Sequence, residues 1–147
     1  MQFVHCLDMV TKSQNNILAA KRILDANDPL ISFASIHCSY YAVFQYMKYL
    51  LANLTHGAIP YDKQDEICRE KDSHKIILEE IRNQLPGRNL KKERNLIEAI
   101  RALKTSRRAA DYTQEIFNVD DCLDIKQNAE AAISILKSFF NNKIQKA

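Results

Sequence analysis

One arginine in the segment Ser106–Tyr112 stands where a helix with this pattern should present an apolar side chain. The apolar residues before Arg107 follow one another at steps of three and four positions, and they are Leu96, Ile100 and Leu103. A guanidinium stays charged at physiological pH, so its burial is costly unless it meets a carboxylate, a phosphate or a water-filled cleft. We therefore expect Arg107 to lie at a cleft or an interface.

Basic residues are concentrated on the same predicted helix. Between Arg88 and Arg108 there are 8 basic and 2 acidic residues, a local charge of +6, whereas the whole chain carries +3. Such a segment is typical of a surface that binds a polyanion or an acidic partner, and equally of a solvated helix face. The candidate residues for binding a nucleic acid or a nucleotide are Arg101, Lys104, Arg107, Arg108, Asp111 and Tyr112.

Two interpretations of Arg107 remain open at this point. Asp111 follows one helical turn later, so the two side chains can neutralise each other on one helix face. Alternatively, Arg107 and its basic neighbours form an anion site for RNA, a nucleotide or the acidic surface of a partner.

Other residue combinations give weaker evidence for a catalytic or metal site. Arg69 and His74 have Arg-x4-His spacing but fall in a predicted loop and at the start of the next helix, and such spacings arise readily by chance. A zinc site from His37, Cys38, Cys68 and His74 is disfavoured, because structural zinc ligands usually come in closely spaced pairs on short knuckles. The chain has no glycine-rich phosphate loop. We expect no metal and no cofactor.

Composition predicts a single all-α domain over residues 1–147, with a polar tail from about residue 141. The chain of 147 residues has 46% hydrophobic residues but only 2 glycines and 3 prolines, which disfavours a turn-rich β fold. The four cysteines, among them Cys6 and Cys122, lie far apart, no secretory signal precedes them, and no apolar run is long enough to span a membrane. We expect a cytoplasmic protein that does not enter the membrane.

The apolar periodicity predicts five helices and one long loop. The second predicted helix is apolar around most of its circumference, which is typical of a helix that is central in a bundle or buried in a dimer. Thr55–Lys71 is predicted to be the loop, with one helical turn near Asp65. The five helices are predicted at about Asp8–Ala26, Pro29 to about Asn53, Asp72 or Ser73 to Pro86, Leu90 to about Tyr112, and Asp120–Phe140.

Three segments in this order resemble the HEPN family, small helical domains often encoded beside minimal nucleotidyltransferases. The first is Ser39–Phe44, SYYAVF, followed by Tyr49-Leu50-Leu51. The second is Ser73-His74-Lys75, at the start of the third predicted helix. The last is RxxADY, formed by Arg107, Ala110, Asp111 and Tyr112. The resemblance extends over about three-quarters of the chain.

The resemblance implies an up-and-down bundle of four to five helices, usually dimeric, whose RNase members carry Arg-x4-6-His in the fourth helix. Here the position after four intervening residues is Tyr112, not histidine. Tyrosine, with an ordinary pKa near 10, is a poor proton carrier at neutral pH. The candidate catalytic residues are Arg107, Tyr112 and His74, but we expect binding rather than cleavage.

We therefore expect a binding or regulatory component of a toxin–antitoxin or nucleotidyltransferase-associated module. It would bind RNA or a nucleotide at a basic cleft, form a homodimer along the second and fourth predicted helices, and have a small nucleotidyltransferase as a possible partner. One alternative is a metal-independent RNase with a degenerate site, and another is a purely structural dimeric interaction module. A further hypothesis is that the phenol of Tyr112 accepts a nucleotidyl group.

Overall fold

The computed structural model describes residues 4–145, with side chains from residue 9 onward, and this part of the chain forms six α-helices. They are α1 (Val4–Asp25), α2 (Ala34–Ala52), α3 (Tyr61–Cys68), α4 (Ser73–Gln84), α5 (Leu90–Tyr112) and α6 (Val119–Phe140). The predicted all-α class is confirmed. No helix in this range is long and apolar enough to cross a membrane. The Cys6 side chain lies outside the described residues.

Helix α2 is the centre of the bundle. Its buried side chains lie on more than one face, as Ala42, Val43 and Leu51 show, which are each 0% exposed. Helices α1, α4, α5 and α6 all pack against it. The prediction that this helix is contacted on more than one side is confirmed, because its apolar circumference is covered within one chain.

The seam of α5 faces this central helix. Leu96, Ile100 and Leu103 are buried in the same core as the α2 residues, and Arg107 continues their row with 7% exposure. The seam between α2 and α5 is thus not available as the predicted dimer contact, because it is already packed inside the chain. The homodimer itself stays a prediction that would need another surface.

Helix starts follow local capping chemistry. The Asp72 carboxylate accepts hydrogen bonds from the amides of His74 and Lys75, as expected for an N-cap of α4. At α6 the cap is Asn118, one position before the helix, and it forms a capping box with Asp121. The helix was predicted to begin at Asp120 and begins at Val119, one residue earlier. The prediction of acidic residues in its first turn is correct.

Several predicted element bounds differ from the structure. The first helix begins at Val4 rather than at about Asp8. The second helix begins at Ala34 rather than Pro29, because the Asp28 carboxylate accepts the Leu30 amide and residues 29–33 form separate turns. The predicted loop Thr55–Lys71 contains the two-turn helix α3, which brings the described helices to six instead of four to five. The buried Gln64 fastens α3 by donating to the carbonyls of Lys48 and Ile59 at 2.9 and 2.8 Å. These hydrogen bonds join Gln64 to residues outside α3, so the apolar periodicity of the sequence could not predict them.

The arrangement of α4 and α5 leaves a groove. Both helices pack against α2, while they barely contact each other. Tyr40 of α2, with Leu78 of α4 and Ile100 of α5, therefore forms the base of an opening between the two helices.

The capping box at α6 provides a test of this local chemistry. We expect Asn118→Ala to lower the free energy of unfolding by about 1 kcal/mol, since the Asp121 amide at the helix start loses the side-chain oxygen that accepts its hydrogen bond. Asn118→Ser, which keeps a capping oxygen, should lose much less. Urea denaturation of the three proteins measures the difference, and equal stability of the alanine and serine variants would contradict a capping role.

Candidate functional site

Arg107 is held among aromatic rings. Its guanidinium carbon lies 5.5 Å from the ring centroid of Tyr40, 5.6 Å from that of Tyr41 and 5.8 Å from that of Tyr112. Ring faces attract a cation through their quadrupole, and this attraction grows when the cation is desolvated. Three tyrosines from two helices therefore offset part of the cost of burying this charge.

A carboxylate completes the environment of Arg107. Nη1 of Arg107 lies 3.6 Å from Oδ2 of Asp111, so the ion pair expected from their spacing is present. The same oxygen accepts a hydrogen bond of 3.0 Å from Nδ1 of His37, which approaches from α2. Nε of Arg107 is buried and has no hydrogen-bond partner among residues 9–145.

Four ring-bearing residues of α2 form one wall of this region, and they are His37, Tyr40, Tyr41 and Phe44. Their spacing of i, i+3, i+4 and i+7 places them on one helix face. The His37 and Tyr41 ring centroids are 4.5 Å apart, and those of Tyr40 and Phe44 are 6.2 Å apart. We did not connect these rings with Arg107 from the sequence, although their spacing was a visible signal.

His74 joins the same wall from α4. Its Nδ1 lies 2.7 Å from the Tyr40 hydroxyl, and its ring centroid is 4.4 Å from that of Phe44. Burial raises the pKa of Tyr40, so the phenol keeps its proton at neutral pH and can donate it to Nδ1. The ring proton of a neutral His74 then sits on Nε2.

The charge state of His74 is set by its surroundings. Burial, with the positive charges of Arg107 and Lys104 nearby, lowers the pKa of His74 to about 4. At neutral pH the imidazole is therefore uncharged, and the bond with Tyr40 joins two neutral groups.

A cleft of about 340 Å³ opens between α4 and α5 beside this histidine. Its basic residues are Lys75, Arg101, Lys104 and Arg108, and its acidic residue is Glu79. Nζ of Lys104 is paired with Oδ2 of Asp72 at 3.0 Å, and this hydrogen bond lowers the pKa of Asp72. Within the described residues, Lys75, Arg101 and Arg108 form no ion pair. Three cations therefore face the cleft without a carboxylate partner.

The structure divides the predicted site residues into two groups. Arg101, Lys104, Arg108 and His74 line the cleft together. Arg107 and Asp111 do not line it; they form the ion pair that lies against the Tyr41 side of the aromatic wall.

Tyr112 and Arg69 lie away from the cleft lining. Tyr112 is at the end of α5 and is 76% exposed. Arg69 is exposed at the end of α3, so the Arg69–His74 spacing does not correspond to two groups facing one cleft.

The residues considered for zinc are engaged elsewhere. His37 binds Asp111 and His74 binds Tyr40, while Cys38 and Cys68 are free thiols whose pKa values are raised by burial. In the part of the chain that is described, no group of three or more histidine, cysteine or acidic residues is arranged to hold a metal ion.

The lowered pKa of His74 predicts a specific acid sensitivity. The unfolded chain binds a proton at the ordinary pKa of 6.5, whereas the folded imidazole stays neutral down to about 4. Between these values the unfolded state holds more protons, so the free energy of unfolding falls as the pH drops. We expect His74→Gln to reduce this dependence in urea unfolding between about pH 7 and pH 5. His56, exposed after α2, is the matched control; an equal reduction in His56→Gln would contradict the assignment.

Comparison with known proteins returned no match among family models, curated proteins or solved structures. The resemblance to the HEPN family therefore stays a prediction from the sequence, and the functional interpretation rests on the cleft between α4 and α5 and on the charges that line it.

Proposed function

We propose that the protein binds a phosphate group of RNA or a nucleotide in the cleft between α4 and α5. The observation that carries this proposal is that Lys75, Arg101 and Arg108 face one cleft from two helices without forming an ion pair in the described structure. Cations gathered in this way repel one another, and a bound anion relieves the repulsion.

The chemistry of the cleft suits a phosphate. An arginine guanidinium presents parallel N–H donors that match two phosphate oxygens, and Arg101 and Arg108 both offer this fork. Leu78 and Ile100 form part of the base of the cleft, and their apolar side chains reduce the local screening of these charges. Nε2–H of the neutral His74 is one further donor if it faces the ligand.

Arg107 is a positioning residue in this proposal. It is 7% exposed and already paired with Asp111, so the phosphate is bound by its neighbours instead. Its contacts with Tyr40 and Tyr41 fix the aromatic wall, and Tyr40 in turn holds the His74 ring.

The proposed biological role is that of a binding or regulatory component in a toxin–antitoxin type module, with a small nucleotidyltransferase as partner. Its support is that the three segments resembling the HEPN family meet at one place: Tyr40 from the first, His74 from the second and Arg107 from the third. A homodimer belongs to the same proposal. The exposed residues Leu30, Phe33 and Ile116 offer it apolar surface outside the packed seam.

A second candidate function is metal-independent RNA cleavage, favoured by one contact. The neutral imidazole of His74 stands in the same cleft as Arg101 and Arg108, held by Tyr40 at 2.7 Å. For this role the ring adopts the other tautomer, in which Nδ1–H donates to the Tyr40 oxygen and Nε2 accepts a proton from a ribose hydroxyl, while the arginines stabilise the charge that develops on the phosphate. With a pKa of about 4, however, this imidazole is a weak base, so we favour binding.

The binding proposal predicts the effect of removing both free arginines. We expect the double variant Arg101→Gln, Arg108→Gln to bind a fluorescein-labelled single-stranded RNA at least about tenfold more weakly at low salt, because two charge-assisted contacts are lost. The slope of log affinity against log salt should fall by about 1 to 1.5. Fluorescence anisotropy measures both quantities.

Arg22→Gln is the matched control for this experiment. Arg22 lies in the last turn of α1, a helix that does not line the cleft. Combined with Arg69→Gln, exposed at the end of α3 and also outside the cleft, the exchange removes the same two charges as the double variant. Equal affinity of the double variant and this control would remove the cleft from the proposal.

The cleavage alternative has its own discriminating measurement. We expect no cleavage of a structured RNA incubated with the protein in EDTA. Reproducible cleavage that disappears in His74→Gln and in Arg107→Lys, but persists in Arg22→Gln, would contradict the binding proposal and establish the RNase.

A further inference from the structure

A second cleft adjoins the first along the same two helices. It has a volume of about 240 Å³ and is lined by Arg82 of α4 and by Arg94 and Arg101 of α5, among others. Arg101 lines both clefts. They are therefore consecutive parts of one groove that follows α5 from near its start to the His74 end.

Arginines recur along this groove at a regular interval. Arg94, Arg101 and Arg108 are seven residues apart, which is nearly two helical turns, so they lie on one face of α5. At 1.5 Å per residue, Arg94 and Arg108 are about 21 Å apart along the helix axis. One phosphate group cannot contact all three positions.

An exposed aromatic ring continues the same face. Tyr112 follows Arg108 by four residues and is 76% exposed. The guanidinium carbon of Arg107 lies 5.8 Å from the ring centroid and does not cover the rest of the ring. Tyr112 lines neither cleft, but one helical turn beyond Arg108 it offers an aromatic surface that is open to solvent.

We propose that the occupant of this groove is an extended single strand of nucleic acid, which extends the function proposed above and rests on it. Successive phosphates lie along Arg94, Arg101 and Arg108, and an unstacked base lies on Tyr112. A cationic track that ends at an exposed aromatic ring is how proteins hold single strands without reading their sequence. In a duplex the bases are stacked on one another, so their faces are not available to Tyr112.

Acidic residues in the groove do not cancel its charge. The Glu93 carboxylate is engaged, because it accepts the amides of Gly87 and Asn89 at 2.9 and 3.0 Å. Glu79 and Glu98 also line the two clefts. Lys104 is paired with Asp72, which leaves five basic residues against these three acids along the groove: Lys75, Arg82, Arg94, Arg101 and Arg108.

The test is the length dependence of binding, measured by anisotropy with labelled oligouridines of about two, four and eight nucleotides. We expect the affinity of the wild-type chain to rise at least about tenfold from the shortest to the longest strand at low salt. Arg94→Gln should weaken the longest strand about three- to tenfold and leave the shortest unchanged, because only the longest reaches the second cleft.

The stacking part of the proposal is tested separately. Tyr112→Ala should weaken the longest strand at least about fivefold, whereas Tyr112→Phe, which keeps the ring, should not. Both side chains under test are exposed, so the variants should fold, and thermal unfolding verifies this. Arg22→Gln should bind every probe like the wild type.

The outcomes separate the inference from the proposed function. Equal affinity for all lengths, with loss only in the Arg101→Gln, Arg108→Gln variant, overturns the extended strand and leaves phosphate binding intact. A duplex bound as tightly as the single strand, or polyglutamate that displaces the strand equally well from wild-type chain and Tyr112→Ala, also overturns it. If that double variant binds every probe like the wild type, the proposed function fails as well.

Discussion

The burial of one permanent charge governs the architecture around the cleft. Arg107 is 7% exposed and cannot release its charge, so the surrounding helices must supply compensation. Asp111 supplies a carboxylate, and the tyrosine rings of α2 supply their negative faces. These groups must stay close to the guanidinium to compensate its charge. The position of the aromatic wall is therefore a consequence of the buried Arg107 side chain.

This constraint distinguishes two adjacent arginines that the sequence presents as a pair. Consecutive residues of a helix point about 100° apart, so Arg107 enters the core row while Arg108 faces the cleft. The buried one organises Tyr40 and, through it, His74. The exposed one lines the cleft and forms no ion pair in the described structure. In the proposed function, structural and binding roles are thus divided between neighbours, and removing both at once would mix two different effects.

Local patterns predicted the features that local chemistry determines. The all-α class, the Asp72 cap, the packed row of Leu96 to Leu103 and the Arg107–Asp111 pair all follow from spacing along one helix. Of helix α3 only one turn near Asp65 was predicted, because the hydrogen bonds of Gln64 to carbonyls outside the helix hold it and have no signature in the chain. The cleft was only partly predictable, since Lys75 and His74 reach it from another helix and Arg107 turns away from it. Which basic residues face the cleft depends on how α4 and α5 pack against α2.

Asp72 has a mechanical consequence for access to the groove. The same carboxylate caps α4 and binds Lys104 of α5, so it ties together two helices that barely contact each other otherwise. Its pair with Lys104 is partly exposed, whereas the bundle core is dry. Opening of this tie costs far less than global unfolding and leaves the cooperative unit around α2 intact. We therefore expect local opening at the groove entrance to require less free energy than unfolding of the helices beneath it.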